Sequence, residues 1–283
     1  MQNIKKQIII SGASGFTGMN LSKLLVQYDY EVYCTKRTSN LNLAQIMPDI
    51  RQIDLQDTNQ VEKILSSNEI AAVVHLATVY KRRESIATEN ETWRANYSVG
   101  KKLLELALES KAQFLHIESY LQFEELGNTE YLKSKIAFSE LIDEERERER
   151  LGLTSLIFFD SYGEGDQRNK ILDQLIRARR EGKSISLEDS KRVIVLTAIQ
   201  DITLAIFKAI DKKVFGRYRV NGSDKYPLME LAKFIGHFPH INQLSRVEEK
   251  IYKAEMYPIL HTFDQTKNVI DYITAKLTED FKN

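Results

Sequence analysis

The most constraining feature of the sequence is residues 7–20, QIIISGASGFTGMN, where an apolar run leads into a glycine-punctuated turn. The three consecutive isoleucines at 8–10 are typical of a strand that is buried on both faces of a parallel sheet. Gly12, Gly15 and Gly18 follow this run and lead into a leucine-bearing segment with helical spacing. The stretch therefore predicts a strand, a tight turn and a helix at the start of an α/β domain.

The spacing of the three glycines indicates a site for a dinucleotide. The first permits a tight turn, the second lets the backbone approach a pyrophosphate, and the third lets helix and strand pack closely. The phosphates would lie at the helix N-terminus, where N–H groups and the helix dipole favour an anion. A glycine-rich turn that binds nothing is the alternative. The predicted cofactor contacts in the turn are Gly12, Ser14, Gly15, Phe16, Thr17 and Gly18.

The remainder of the chain alternates strand-like and helix-like segments. Strands are predicted over 31–36, 50–55, 70–77, 113–117 and 153–159, and helices over 61–65, 91–110 and 131–150. This alternation predicts a Rossmann-type, doubly wound parallel sheet with right-handed crossovers. After Gly163 the segments become shorter, with helices over 170–181 and 198–210 and strands over 193–196 and 217–220. We therefore predict a cofactor-binding domain over 1–163 and a smaller, interleaved substrate-binding lobe over 164–283.

Composition excludes several classes of function. Lysine plus arginine and aspartate plus glutamate are 40 each, so no global field would recruit nucleic acid or an anionic membrane. The alternating run at 143–150, DEERERER, is explained by a solvated helix end with i,i+4 ion pairs. The single cysteine, Cys34, fits a reducing compartment, and no secretory or membrane-spanning segment is apparent. We expect a cytoplasmic protein without a metal site.

The pattern Tyr-x-x-x-Lys is a candidate for catalysis, and its context selects one copy. It occurs three times, at Tyr97/Lys101, Tyr131/Lys135 and Tyr272/Lys276. The second copy starts a predicted helix and follows a strand that ends in Ser119. Tyr131, Lys135, Phe138 and Ile142 share one face of that helix, and the last two indicate that this face is buried. A lysine on a buried face needs a partner or a cofactor.

Together, the glycine turn, the sequence His75-Leu76-Ala77 and the pair Tyr131/Lys135 resemble the extended short-chain dehydrogenase/reductase superfamily. More narrowly, they resemble its epimerase/dehydratase-type branch, which acts on nucleotide sugars. The compact spacing from Ser119 to Tyr131 is most similar to small 4-ketoreductases of the CDP-paratose or abequose synthase type. Further matches are Asp54-Leu55, Asn96, Asp160-Ser-Tyr-Gly163 and residues 218–231.

This resemblance implies roles for the three catalytic candidates. Tyr131 is the general acid that protonates a carbonyl oxygen, Ser119 holds that oxygen, and Lys135 binds the nicotinamide ribose and lowers the pKa of Tyr131. Lowering the pKa of a phenol from about 10 to about 7 requires roughly 4 kcal/mol. A cation about 4 Å away, at an effective dielectric of about 20, supplies on the order of 4 kcal/mol.

The resemblance also implies further cofactor contacts and a cofactor preference. The positions at which the family contacts its cofactor correspond here to Asp54, Leu55, Leu76, Ala77, Thr78 and Asn96, together with Tyr131 and Lys135. For Asn96 a satisfied core amide is the alternative. The second predicted strand ends without a carboxylate, and Lys36 and Arg37 can pair with a 2′-phosphate. We expect NADP(H), with NAD(H) possible; a basic loop that faces water is the alternative.

Residues 118–121, ESYL, lack the Asp-Glu pair that an elimination of this family's type would use, so dehydration is disfavoured. The family's arginine-containing substrate segment is replaced at 191–196, which leaves substrate diphosphate contacts there unsupported. The predicted substrate contacts are Tyr80, Arg82, Arg83, Tyr120 and Asp160, although a solvated loop also explains the two arginines.

We predict a reductase of a nucleotide-linked 4-keto-6-deoxy sugar. The first alternative is a nucleotide-sugar epimerase, which shares every catalytic residue. The second is a cofactor-sensing regulatory protein, against which the complete set Ser119, Tyr131 and Lys135 argues. A homodimer formed through a helix pair is implied by the resemblance alone.

Overall fold

A computed structural model describes residues 5–36, 47–67, 69–80, 86–124, 129–148, 152–187, 192–220, 224–236, 257–260 and 268–278. Arg37, Arg82 and Arg83 lie outside these residues. The strands are β1 Gln7–Ser11, β2 Glu31–Thr35, β3 Ile50–Ile53, β4 Ile70–His75, β5 Gln113–Ser119, β6 Leu153–Phe158, β7 Asp160–Tyr162, β8 Val193–Ala198, β9 Gly216–Arg219 and β10 Asp224–Pro227. The helices are α1 Phe16–Gln27, α2 Thr58–Leu65, α3 Ile86–Trp93, α4 Val99–Glu109, α5 Glu130–Glu147, α6 Ile171–Arg180, α7 Ile199–Asp211, α8 Leu228–Gly236 and α9 Val269–Thr278.

Within the described part of the chain, a seven-stranded sheet has the order β3-β2-β1-β4-β5-β6-β9. Each neighbouring pair is parallel, as in the registers Ile8↔Val32 and Ile8↔Ala72 on the two sides of β1. The predicted doubly wound α/β sheet is confirmed. The strand order reverses between β1 and β4, and ligands of such sheets bind beyond the carboxyl ends of the strands at this reversal. The glycine turn after β1 lies at this point.

Both faces of the sheet are covered, which explains the continuous apolar character of β1. Ile8 and Ile10 belong to a core with residues of α1 and α7. Ile9 points to the opposite core, which contains Leu103 of α4 and Phe138 of α5. Because successive side chains of a strand alternate between faces, β1 needs apolar residues at every position.

A second sheet of the order β10-β8-β7 contains one antiparallel pair, β10 with β8. Helices α6, α8 and α9 pack with it around a separate core. The strand predicted over 217–220 corresponds to β9, which pairs with β6 at the edge of the main sheet. The C-terminal part of the chain thus contributes to both sheets.

Two local features differ from the sequence expectation. The helix predicted over 91–110 begins earlier, at Ile86, and a π-helical turn, Arg94–Ser98, separates α3 from α4. Such turns are rare and are often found at functional sites. A 3₁₀ turn, Tyr120–Phe123, follows β5 directly. No helix among the described residues is long and apolar enough to cross a membrane.

Gly18 provides a test of the packing between the turn and the helix. A Cβ atom there would lie 2.2 Å from the Gly12 carbonyl oxygen and 2.6 Å from the Ala13 Cα atom. We expect Gly18→Ala to reduce the free energy of unfolding by about 1–3 kcal/mol, since overpacking forces the backbone to move. Chemical denaturation measures this change. Gly236→Ala is the matched control because, apart from its chain neighbours and its own helix, none of the described residues has an atom within 4 Å of its Cβ position. Equal stability of the two variants would contradict the packing.

Candidate active site

The glycine turn is held closely against the end of β4. Gly12 has a φ of +74°, and a Cβ atom there would lie 2.7 Å from the Ala77 backbone nitrogen. The Ser11 hydroxyl accepts a hydrogen bond from that nitrogen at 3.2 Å. These contacts fix the turn relative to the segment 76–80, which carries the predicted cofactor and substrate contacts that follow β4.

The turn fits the phosphates of a dinucleotide. Gly15 is the N-cap of α1 and has no side chain that could cap the first N–H groups of the helix. The first turn of the helix contains no acidic residue. Among the described residues, a Cβ atom at Gly15 would meet only the Gly12 carbonyl oxygen, at 3.2 Å, so these residues leave the outer side of Gly15 open. Ser14 and Gly15 are exposed, whereas Phe16 and Gly18 are buried and Thr17 is half-buried. The exposed backbone at this helix N-terminus suits an anion.

The other predicted cofactor contacts surround the carboxyl ends of β2, β3 and β4. Lys36 and Thr78 are exposed, and Leu55, Leu76 and Ala77 are half-buried. Lys36 follows β2, and its backbone nitrogen donates to the Ile53 carbonyl oxygen at 2.7 Å. The Asp54 carboxylate accepts a hydrogen bond from the backbone of Gln56 at 2.9 Å. Their contacts with a cofactor stay predictions.

Asn96 lies in the π-helical turn and is fully buried. Its Oδ1 atom accepts from the Val79 backbone nitrogen at 2.8 Å. Its Nδ2 atom donates to the Val79 carbonyl oxygen at 3.3 Å and to the Ser134 hydroxyl at 3.0 Å. This pattern is that of a satisfied core amide, the alternative interpretation from sequence. Asn96 thereby joins the segment 76–80 to α5; its predicted contact with the cofactor is untested.

The structure brings Ser119, Tyr131 and Lys135 together. Ser119 ends β5, and its hydroxyl forms a hydrogen bond with Tyr131 at the start of α5. Lys135 is 6% exposed, and its Nζ atom donates to the Ile117 carbonyl oxygen at 2.7 Å. The inward face of α5 that the sequence predicts is therefore confirmed, although the catalytic roles are not tested.

Gln122, which is not among the residues predicted from sequence, connects these residues through hydrogen bonds. Its Oε1 atom accepts from the Ser119 backbone nitrogen at 2.8 Å, and Ser119 caps the 3₁₀ turn in return. The Gln122 Nε2 atom donates to the Ser139 hydroxyl at 2.8 Å and to the Lys135 carbonyl oxygen at 3.3 Å. The spacing Ser-x-x-Gln is a capping-box pattern, so this residue was detectable from sequence.

The pKa of Tyr131 differs from the expectation. Burial raises it and the negative charge of Asp160 adds to that effect, while the hydrogen bond from Ser119 lowers it. The net direction is upward, so the expected lowering by Lys135 is wrong for this arrangement. Burial lowers the pKa of Lys135 to about 8, against the attraction of Glu118. Tyr131 is consequently a protonated phenol at neutral pH.

Two aromatic side chains and a charged cluster border Tyr131. The Tyr80 ring is 57% exposed and stands edge-on to the Tyr131 ring, with 5.1 Å between centroids. The Tyr120 ring stacks on Phe159, and its hydroxyl donates to the Asp160 carboxylate at 3.3 Å. The predicted substrate residues Tyr80, Tyr120 and Asp160 thus lie near Tyr131, whereas Arg82 and Arg83 are outside the described residues.

Two cations beside Asp160 were not predicted. The Arg192 Nη2 atom lies 3.5 Å from Asp160 Oδ2, and the Lys170 Nζ atom lies 3.8 Å from Oδ1. Both cations are partly exposed. Lys170 and Arg192 are distant from Tyr131 in sequence. They lie directly before α6 and β8, and these two elements place them beside Asp160.

The other two Tyr-x-x-x-Lys pairs have packing roles. Tyr97 packs against Trp93 and Phe138. Tyr272 donates to the Gly163 carbonyl oxygen at 3.3 Å, and Lys276 pairs with Glu164 at 2.7 Å. Among the described residues, no cluster of three or more histidine, cysteine, aspartate or glutamate side chains could hold a metal ion.

Comparison with known proteins identifies the class to which this fold and site belong. Residues 8–220 match the model of the NAD dependent epimerase/dehydratase family. The chain belongs to this family, and it is an enzyme of the extended short-chain dehydrogenase/reductase type.

Three known proteins are similar to this chain. CDP-abequose synthase of Salmonella muenchen is 28% identical over 74% of this chain and 72% of the relative. UDP-N-acetyl-alpha-D-glucosaminuronate decarboxylase of Bacillus cytotoxicus is 24% identical over 94% of this chain and 88% of the relative. UDP-glucuronic acid 4-epimerase of Bacillus cereus, solved with UDP-glucuronic acid and NAD, has a TM-score of 0.74 and 20% identity, covering 98% of this chain and 99% of that structure.

Gly15 tests the cofactor site without requiring a substrate. We expect Gly15→Val to abolish NADPH binding, since its side chain would extend from the open side of the turn into the space of the pyrophosphate. Fluorescence titration measures the affinity, and circular dichroism checks the fold. The control is Gly236→Val, the same substitution at the end of α8, where none of the described residues outside that helix lies within 4 Å of the Cβ position. A folded Gly15→Val protein with unchanged NADPH affinity would exclude the proposed cradle.

Proposed function

We propose that this enzyme reduces a nucleotide-linked 4-keto-6-deoxy sugar with NADPH. The observation that supports this most directly is the hydrogen bond between the Ser119 hydroxyl and the half-buried Tyr131 phenol, with the buried Lys135 one turn further along the same helix. A reduction needs a proton donor at the carbonyl oxygen, and a phenol that stays protonated at neutral pH meets this need.

Four side chains of the site each have a separate role in this reaction. A bound nicotinamide cofactor supplies the hydride. Ser119 orients the carbonyl oxygen by a hydrogen bond, and Tyr131 donates a proton to it as negative charge develops. Lys135 places a positive charge behind Tyr131 and offers N–H groups to the ribose of the cofactor. Tyr80 restricts access to the Tyr131 ring from one side.

A nucleotide-sugar substrate agrees with the surroundings of Tyr131. Arg192 and Lys170 offer positive charge to phosphates, and Asp160 can accept hydrogen bonds from sugar hydroxyls. The three relatives described above are named for CDP- or UDP-linked sugars. The 4-keto-6-deoxy sugar follows from the resemblance to CDP-abequose synthase and from the absence of an Asp-Glu pair in residues 118–121.

The preference for NADP(H) rests on the end of β2. Lys36 is exposed there, and the next residue in sequence is Arg37. Both can pair with a 2′-phosphate, and the carboxyl end of the strand, Cys34-Thr35, supplies no carboxylate for a 2′-hydroxyl. NAD(H) is the alternative, since the Bacillus cereus epimerase was solved with NAD. The homodimer and the cytoplasmic location stay predictions from sequence.

An epimerase is the second candidate, because it would use the same serine, tyrosine and lysine. An epimerase must reduce the keto intermediate again before its cofactor leaves, whereas a reductase exchanges its cofactor in each turnover. An NADP-type pocket suits exchange with a reducing pool. A regulatory protein that only binds the cofactor would not need the Ser119–Tyr131 pair.

The reaction is tested by supplying NADPH and a CDP-linked 4-keto-6-deoxyhexose to the purified protein. We expect consumption of about one NADPH per sugar, slower turnover with NADH, and a 4-hydroxy product. Tyr131→Phe should reduce turnover by about 10² or more, the scale of lost general acid catalysis. Absorbance at 340 nm and mass spectrometry of the sugar nucleotide provide the measurements.

Tyr97→Phe is the matched control, since it removes the hydroxyl of another Tyr-x-x-x-Lys pair. It should leave turnover near the wild-type value. Interconversion of two nucleotide hexoses without loss of nicotinamide absorbance would establish the epimerase instead. A loss in Tyr97→Phe equal to that in Tyr131→Phe would refute the assignment of the acid.

A further inference from the structure

Arg168 lies against the glycine turn, although it belongs to the segment between β7 and α6. Its guanidinium stacks on the ring of Phe16, with 4.4 Å between the Cζ atom and the ring centroid. Phe16 is the first residue of α1 and directly follows Gly15, the N-cap. The same ring lies close to Gly163, where a Cβ atom would be 3.4 Å from Phe16 Cζ. The segment that carries Arg168 therefore packs on the start of the helix that is proposed to hold the cofactor phosphates.

Two polar residues and the Phe16 ring fix the orientation of this guanidinium. Nε donates to Asp166 Oδ1 at 2.7 Å and Nη2 donates to Asp166 Oδ2 at 2.5 Å, which makes a bidentate pair. Nη2 also donates to the Ser161 hydroxyl at 2.9 Å and to the Ser161 carbonyl oxygen at 3.1 Å. The Asp166 side chain is 1% exposed, so water competes little for its carboxylate. Arg168 is thus held in one orientation from three sides.

The ion pair is not explained by stability alone. Asp166 and Arg168 are two residues apart, so their ion pair joins no distant parts of the chain, and the Arg168 side chain is 35% exposed. Ion pairs with an exposed cation contribute little to stability. The Nη1 atom makes no hydrogen bond with any described residue, so two of the five guanidinium N–H groups stay open. A fixed guanidinium with open donors is suited to an anion.

The start of α1 indicates which anion this is. The first N–H group of the helix that bonds within the described part of the chain is that of Met19, to the Gly15 carbonyl oxygen at 2.9 Å. The N–H groups at positions 16–18 make no hydrogen bond with the described residues, as is typical of a helix N-terminus that binds phosphate. Residues 11–20 contain no charged side chain, so the turn supplies neutral donors only. The guanidinium beside them carries the positive charge that a pyrophosphate needs.

We propose that Arg168 binds the pyrophosphate of the nicotinamide cofactor, and that Asp166 and Ser161 orient it for this purpose. The inference rests on the proposed use of a nicotinamide cofactor and does not depend on which sugar is reduced. NADPH and NADH share the pyrophosphate, so Arg168 contributes equally to the affinity for both. Lys36 at the end of β2, in contrast, contributes to the affinity for NADPH.

The test is the affinity of the substrate-free protein for NADPH and for NADH, measured by fluorescence titration. We expect Arg168→Gln to weaken both by similar factors of about tenfold or more, the scale of a lost hydrogen bond to a charged group. Arg168→Lys should keep part of the affinity, because it keeps the positive charge. The matched control is Arg177→Gln, which removes another arginine that bonds to this segment, at 2.7 Å from Asn169 Oδ1. It should leave both affinities near the wild-type values.

Unchanged affinity for both cofactors in Arg168→Gln would overturn the proposal. A loss for NADPH alone would also overturn it, because it would place Arg168 at the 2′-phosphate. Equal losses in Arg168→Lys and Arg168→Gln would assign Arg168 to holding its segment in place, since a lysine cannot form the bidentate pair with Asp166, and would contradict a contact of charge with the cofactor.

Circular dichroism checks that the variants fold. If Arg168→Gln does not fold, Arg168→Lys decides alone, because wild-type affinity in that variant contradicts the proposal. A wild-type protein that binds neither cofactor would refute both this inference and the proposed function. The expected losses of affinity in a protein that reduces no keto sugar would refute the reductase function and leave the role of Arg168 intact.

Discussion

The candidate site depends on the attachment of helix α5 to the end of strand β5. Gln122 ties the backbone of Ser119 to Ser139 and Lys135, and the Lys135 ammonium donates to the Ile117 carbonyl oxygen. These contacts set the distance between the strand that carries the serine and the helix that carries the tyrosine and lysine. Phe138 packs under the same face of the helix, so the polar attachment is completed by an apolar one.

The attachment also determines the electrostatics of the site. It buries Lys135 and partly buries Tyr131, which lowers the pKa of the ammonium and raises that of the phenol. Both shifts favour the neutral forms of the two groups. For Tyr131 the neutral form is the proton donor that a reduction requires, whereas for Lys135 the charged form is the useful one.

The parts of the structure that the sequence predicted are those with local patterns. The strand and glycine turn at residues 7–20, the parallel sheet and the inward face of α5 each follow from spacing within one or two elements. Gln122 also belonged to a local pattern and was overlooked. The pairing of Glu118 with Arg217 joins residues 99 positions apart, and β9 reaches β6 only through the sheet order, so no local pattern marks it. The same applies to Arg192 beside Asp160.

The pKa of Tyr131 shows a second limit of sequence reasoning. Charge alone predicted a lowered pKa for Tyr131, because Lys135 lies one turn along the helix. Burial, to which the packing of Tyr80 contributes, raises the pKa instead, and the effect that opposes it is the hydrogen bond from Ser119. The π-helical turn at Asn96 likewise depends on packing, since its amide bonds to Val79 and Ser134 from other elements.

The central claim is that this site adds a hydride to a sugar carbonyl. The most direct measurement supplies NADPH carrying two deuterium atoms at C4 of the nicotinamide, together with the keto sugar nucleotide, and records the mass of the product. Reduction predicts a hydroxy product with one deuterium bound to carbon. A product without deuterium, formed with no oxidation of NADPH, would contradict the account.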